Sequence, residues 1–257
     1  MRKIPEITLF FWIMKICATT LGETGGDLLS QTINAGYALS SLILISFFIV
    51  TVVSQLLAKK YRPWLYWTVI LSTSTAGTTM SDYMDRTLGL GYGKGSFILI
   101  VILLSIFLIW HYSGCSLSVG QINTLKVEFL YWIAILFSNT LGTALGDFLS
   151  DSSGLGFAGG ALLIGGLLLG VVLAVYFSKI SRVFLFWAAF VLTRPFGATM
   201  GDFLVKTHQK GGLNFGTVGS SAILAAILMV FLIYTTLRAK TNLCTDDLVL
   251  NEELDAE

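Results

Sequence analysis

Four tryptophans recur along this chain with a fixed sequel. Trp12, Trp67, Trp132 and Trp187 are each followed ten residues later by a glycine (Gly22, Gly77, Gly142, Gly197) and five residues after that by an aspartate (Asp27, Asp82, Asp147, Asp202). The motifs end as TTLGETGGD, STAGTTMSD, NTLGTALGD and RPFGATMGD. Four ungapped matches decide the architecture before any single segment does, because a repeat is one supersecondary unit stacked against copies of itself. The tryptophans stand 55, 65 and 55 residues apart, the pattern of a pair of units that was itself duplicated. A weaker echo follows each aspartate: AGYAL, LGYGK, LGFAG and LNFGT. Its glycine (Gly36, Gly91, Gly156) lies nine residues after the aspartate in three copies, and THQKGG lengthens the fourth.

The units are apolar. Of 257 residues, 55% are hydrophobic and 12% charged, with mean hydropathy +0.80. A soluble domain carries about 25% charge. Apolar runs of nearly twenty residues recur, each long enough for a hydrocarbon core of about 30 Å. The expectation is an all-α membrane protein. Its eight transmembrane helices fall near 7–30, 35–58, 63–86, 95–112, 127–150, 155–178, 182–206 and 213–237. They pair as two-helix hairpins (7–58, 63–112, 127–178, 182–237) in one domain, 1–237. Two crossings return the chain to its starting side, so the four repeats are parallel around a pseudo-symmetry axis along the membrane normal. The opening MRKIPEITLFFWIM has the form of a secretory signal, but it contains the first copy of the repeat and is read as retained. Lys and Arg divide ten to four between the two sides, which places both termini in the cytoplasm. The acidic tail, 238–257, reads as a mobile solvated end.

Other classes are set aside. The net charge of +1 says nothing about nucleic acid, but there is no basic patch with interleaved aromatics, so no nucleic-acid partner is expected. Cys17, Cys115 and Cys244 fit no metal or redox spacing and read as unpaired thiols. His111 and His208 are too far apart in sequence for a histidine-built site. There is no nucleophile–base constellation, no nucleotide motif and no loop long enough for a catalytic domain, so neither an enzyme nor a cofactor is expected. The expected partners are membrane lipid and a small cation or proton; homo-oligomerisation is left open.

On a helix, residues three, four and seven apart share a face. Thr140, Thr143 and Asp147 therefore form a polar stripe. Thr75, Thr78 and Asp82 repeat it, with Asp85 one turn further, and Thr20, Glu23 and Asp27 give the first copy. The fourth, Pro195, Ala198 and Asp202, keeps the acid and loses the hydroxyls. Gly22/Gly26, Gly77/Ser81, Gly142/Gly146 and Gly197/Gly201 make a small-xxx-small ridge for close helix packing. Four such helices around one axis bring four aspartates together. A carboxylate in the membrane is costly, and in such places it commonly serves a cavity or a partner. Acids held together compete for protons, and carboxylates with hydroxyls suit hard cations. Asp27, Asp82, Asp147 and Asp202 are thus the candidate ion or proton ligands, with Glu23, Asp85, Thr78, Thr143 and Asn139. Near the helix centres lie Thr19, Ser74, Asn139 and Arg194. An arginine there needs an anion, and Glu23 is its expected partner, as a clasp or as a gate. Pro195 is expected to kink or break its helix and free backbone carbonyls. Lys15 is read as snorkelling to the interface, and the tryptophans as an interfacial belt.

The W-x9-G-x4-D unit in four copies resembles a family of bacterial membrane proteins known only for a repeat of unknown function. The resemblance covers the chain to about residue 237 and implies an eight-helix protein of the bacterial inner membrane. It implies no reaction or ligand. Two readings stay open: a proton-coupled cation or metal-ion exporter built on the repeated acids, or a scaffold, sensor or partner subunit in which the aspartates cap helices.

Overall fold

The computed structural model describes residues 4–118, 122 and 124–254, with 238–254 described by backbone alone. Among these residues there is no strand. Eight long helices follow one another: α1 (Leu9–Asp27), α2 (Tyr37–Leu57), α3 (Pro63–Asp82), α4 (Tyr92–Tyr112), α5 (Leu125–Asp147), α6 (Gly156–Phe177), α7 (Arg182–Val205) and α8 (Thr217–Leu254). Three of the four odd helices start on recognisable signals. The Thr8 and Thr124 hydroxyls accept from the N–H groups of Phe11 and Val127, each at 3.4 Å. Pro63 takes the first position of α3, where its missing N–H costs nothing.

Six helices, all but α1 and α3, are long and apolar enough to cross a membrane. The two exceptions have similar lengths but carry the polar residues of the repeat, Lys15, Glu23 and Asp27 in one and the run Ser72–Ser81 in the other. Both are buried along most of their length. In α2, α4, α6 and α8, by contrast, only 17–33% of the most apolar stretch is buried, against 72% in α5. Apolar side chains such as Leu42, Leu104, Leu162 and Val230 point outward. The protein is an integral membrane protein whose even helices meet the lipid and whose odd helices form the core.

The odd helices close a ring in the order α1, α3, α5, α7 and back to α1. The two helices of a unit do not pair with one another, as a simple hairpin would. Instead α2 lies on α3, α4 on α5, α6 on α7, and α8 returns to α1. Each unit thus lends its outer helix to the next.

Glycine sets the ring's spacing. A Cβ on Gly26 would come 2.8 Å from Thr78 Cβ, one on Gly77 2.9 Å from the Asn139 backbone, one on Gly146 2.8 Å from Ala198 Cβ and one on Gly201 2.9 Å from Glu23 Cβ. Gly197 lies as closely on Thr19, and Gly22 and Gly142 leave no room at all against Ser74 and Arg194. Every contact runs to the next inner helix in the same rotational sense. The expected small-residue ridge is therefore a helix–helix contact surface at all seven glycines.

The aspartates mark a change of helix type. After Asp27, Asp82 and Asp147 the backbone widens into a single π turn, Leu28–Thr32, Tyr83–Thr87 and Phe148–Ser152. The chain then reverses through two left-handed residues placed two apart: Asn34/Gly36, Gly89/Gly91, Gly154/Gly156 and Asn214/Gly216. Gly216, not Asn214, therefore answers Gly36. It lies fourteen residues after Asp202, and the extra length holds a short 3-10 turn at His208–Lys210.

Four expectations are corrected. The break offered as one outcome at Pro195 is absent, since α7 continues through it, and the Pro195 ring and carbonyl pack against Gly142 and Gly146 of α5. Helix α8 continues to Leu254 instead of stopping at 237. Trp67, Trp132 and Trp187 are 3%, 1% and 6% exposed and so form no lipid-facing belt. Lys15 is fully buried and does not snorkel. Cys17 and Cys115 are free thiols; the Cys244 side chain and the acidic side chains of 238–257 lie outside the described residues.

A Gly77→Ala substitution must push α3 and α5 apart, at a cost of about 1–3 kcal/mol. Its melting temperature in detergent should fall clearly. Gly166→Ala, which meets nothing within 4 Å, should melt as wild type.

Candidate functional site

On each inner helix the residues facing the axis recur every four positions, and one-for-one equivalence between copies turns them into tiers. At the end where α1 begins is an aromatic collar. Its ring contacts repeat around the axis, Phe11 on Trp67, Tyr66 on Trp132, Tyr131 on Trp187 and Phe186 on Trp12, with centroids 5.5–6.1 Å apart. The hydroxyls of Tyr66 and Tyr131 meet at 2.9 Å. The next tier is Lys15, Ile70, Ile135 and Phe190, followed by Thr19, Ser74, Asn139 and Arg194. Then come Glu23, Thr78, Thr143 and Ala198, and finally the four aspartates. All of these four aspartates are at most 4% exposed.

Arg194 crosses tiers. Copy four has the small Ala198 where the others have Glu23, Thr78 and Thr143, and the guanidinium rises into that space. Its Nη1 pairs with Glu23 Oε2 at 3.1 Å and donates to the carbonyl of Thr19 at 3.1 Å. Its Nη2 donates to the Ser74 carbonyl at 3.1 Å, to Thr143 Oγ1 at 2.8 Å and to Thr78 Oγ1. The same two threonine hydroxyls donate to Glu23 Oε2 at 3.2 Å each. One side chain of α7 thereby reaches α1, α3 and α5. Asn139 serves the neighbouring seam, where its amide donates to Thr73 Oγ1 at 2.9 Å.

The aspartates are grouped in twos by cations that the sequence reading counted merely as loop charge. Arg86 stands 3.0 Å from Asp82 and 3.1 Å from Asp147, joining α3 to α5. Lys206 stands 3.1 Å from Asp202 and 3.2 Å from Asp27, joining α7 to α1. Each cation lies four residues after the aspartate of its own copy. Copies one and three have Gln31 and Asp151 at that place; Gln31 donates to Asp27, and Asp151 turns outward to accept from Tyr92. The signal was therefore present as an i, i+4 pair in alternate copies.

The acids also converge on one another. Glu23, Asp147 and Asp202 each present an oxygen within 4.8 Å of the other two, and all three residues are buried. Asp82 adds an oxygen, Oδ2, with no hydrogen-bond partner. None of Asp27, Asp82 and Asp147 caps the turn that follows it. Four residues of the expected stripes stand apart. Asp85 takes a hydrogen bond from Ser81 at 3.3 Å and is pressed against Gly95 of α4, because the π turn rotates it off the stripe. The Thr20, Thr75 and Thr140 hydroxyls bond back to carbonyls of their own helices.

The repeat pattern on which this tiering rests matches a known family over four segments, residues 10–61, 65–115, 130–181 and 185–241, described as Repeat of Unknown Function (DUF347). The chain belongs to the DUF347 repeat family. No curated protein and no solved structure matches it. In this DUF347 chain the tiers come from the features that the four repeats share, and the charge chemistry comes from those in which they differ: Lys15, Glu23 and Arg194 each occur in one copy alone.

Arg194→Met would strand Glu23 in the core, and breaking such a pair costs about 3–5 kcal/mol. Glu23→Gln with Arg194→Met should recover a substantial part of that loss. A double-mutant cycle on thermal unfolding in detergent measures the coupling; additive losses would show that the pair does not interact.

Proposed function

We propose that this DUF347 protein is a proton-coupled cation or metal-ion exporter, and that the buried acid cluster is its exchange site. The observation carrying the proposal is the convergence of Glu23, Asp147 and Asp202 from three helices, with oxygens within 4.8 Å of one another. Oxygens so spaced can surround one ion at the 2.0–2.6 Å distances of hard divalent cations. Acids acting as helix caps would instead be tied to backbone amides at separate helix ends, and the first three aspartates make no such bond.

Charge balance supports the same reading. Five carboxylates (Glu23, Asp27, Asp82, Asp147, Asp202) share the site with three cations (Arg86, Arg194, Lys206). With every group ionised, two negative charges are left over. Two protons neutralise them, and so does one divalent cation. The two occupants exclude each other, which is the stoichiometric basis of exchange. The ten-to-four division of Lys and Arg favours both termini in the cytoplasm, in an inner membrane.

The test is transport by purified protein in liposomes with a trapped pH dye, adding Mg²⁺, Mn²⁺ or Ca²⁺ in turn. Wild type should move protons on addition of one of these ions. Asp147→Asn and Asp202→Asn should each reduce that flux by about tenfold or more, while the exposed Asp151→Asn should not. Absence of flux with every cation, in folded protein, would return the aspartates to a structural role.

A further inference from the structure

Lys15 is the one cationic side chain on the axis, among the described residues, that no carboxylate answers. It is fully buried, its Nζ has no hydrogen-bond partner, and that Nζ lies over the face of the Phe190 ring, 4.0 Å from its centroid. A cation–π contact offsets about 2 kcal/mol, whereas an unpaired ammonium in mid-membrane costs more than that. A structural filler at this position would be apolar, as Ile70, Ile135 and Phe190 are in the other three copies.

The surroundings of Lys15 are graded in polarity along the axis. Towards the acids, Ser74 Oγ, Asn139 Oδ1 and Arg194 Nε are likewise buried without partners. Towards the other end lies the hydroxyl pair of Tyr66 and Tyr131. The ionisable groups near Lys15 can be named helix by helix. Helix α7 brings Arg194, whose charge is fixed, and α3 and α5 bring the two tyrosines. On α1 itself Cys17 turns away to the Leu224 carbonyl of α8 at 3.3 Å. Helix α8 carries no charged residue between Thr217 and Leu237. Lysine differs from arginine in being able to give up its proton. The fixed cation thus stands beside Glu23, and the titratable one stands where nothing holds its charge.

We infer that Lys15 is the proton carrier between the acid cluster and the aromatic collar. This rests on the proton-coupled reading above. A proton released from the acid cluster on arrival of a cation passes along the hydroxyls of the Ser74 tier and binds to the Lys15 lone pair, converting –NH2 to –NH3+. The ammonium then gives a proton to the tyrosine pair, whose hydroxyls each take one proton as they lose another, the last proton leaving to solvent at the end where α1 begins. Lys15 returns to –NH2, and one proton has crossed the tier. The steps run equally in reverse.

Two measurements test this. In the liposome assay, Lys15→Met and Lys15→Arg should both lose cation-driven proton flux by about tenfold or more while binding the cation, by calorimetry, within about twofold of wild type. Wild-type flux in both variants overturns the inference and leaves the acid site standing. Loss of cation binding along with flux overturns it too, since Lys15 would then be supporting the site's structure. The second measurement needs no transport. In protein carrying [15N]lysine, the Nζ signal absent from Lys15→Met should change between –NH3+ and –NH2 as the pH is varied over the range in which the protein stays folded. An Nζ that stays –NH3+ throughout overturns the inference whatever the cation assays give.

Discussion

The arrangement depends on one guanidinium. Arg194 leaves α7 and bonds to a carboxylate and a carbonyl of α1, to a carbonyl and a hydroxyl of α3, and to a hydroxyl of α5. Lipid supplies no hydrophobic force between the helices of a bundle, so packing and hydrogen bonds have to hold them. Around Arg194 both are present, because Gly142 of α5 lies directly on its aliphatic stem. An arginine cannot be repeated four times at this level, since four such charges would repel and overfill the axis. Its single occurrence explains why the fourth copy has a small residue at position 198 and why only the first copy has a glutamate.

The glycines explain how polar tiers are possible at all. Each motif's first glycine meets the residue eight positions before the next copy's aspartate, and the second, where present, meets the residue four before it. The inner helices are therefore staggered alike all round the ring, and equivalent residues reach the axis at matching heights. Close approach then brings hydroxyls and carbonyls of adjacent helices within hydrogen-bond reach. In a wider bundle the same side chains would remain unpaired in an apolar medium, at a cost of about 1–3 kcal/mol each.

Much of this was legible in the sequence because it is periodic. The eight helices, the parallel units, the glycine ridge and the convergence of aspartates all follow from spacings that recur four times. What was not legible depends on which way a helix faces its neighbours. Trp132 in an apolar run reads equally well as lipid-facing or axis-facing, and only the contact of Tyr66 with it decides. Lys15 reads as snorkelling until α1 is placed in the inner ring, with no route to water. Arg86 and Lys206 stand at the last positions of their expected helices, 63–86 and 182–206, where a cation reads as charge at the connection; the π turn in one copy and the end of α7 in the other carry the cations back over the acids. Asp85 was assigned to the stripe on ideal α geometry, which the π turn does not keep.

The cations give the acid end a division that the glycines do not. Arg86 closes the seam between α3 and α5, and Lys206 closes the seam between α7 and α1. No such cation spans the α1–α3 or α5–α7 seam among the described residues. At this end the ring is therefore two halves, copies two with three and copies four with one; each half straddles the boundary between the duplicated pairs that the tryptophan spacing records, while the cations themselves fall in the equivalent copies two and four. Glu23, Asp147 and Asp202 come from both halves, so a cation bound there, as proposed above, would draw the halves together by its charge. One tier below, Arg194 spans both halves and keeps them in register. A charge change at the cluster thus acts across the two unbridged seams, where glycine contacts have no ion pair to resist sliding, and its effect is borne by the Arg194 tier next to Lys15.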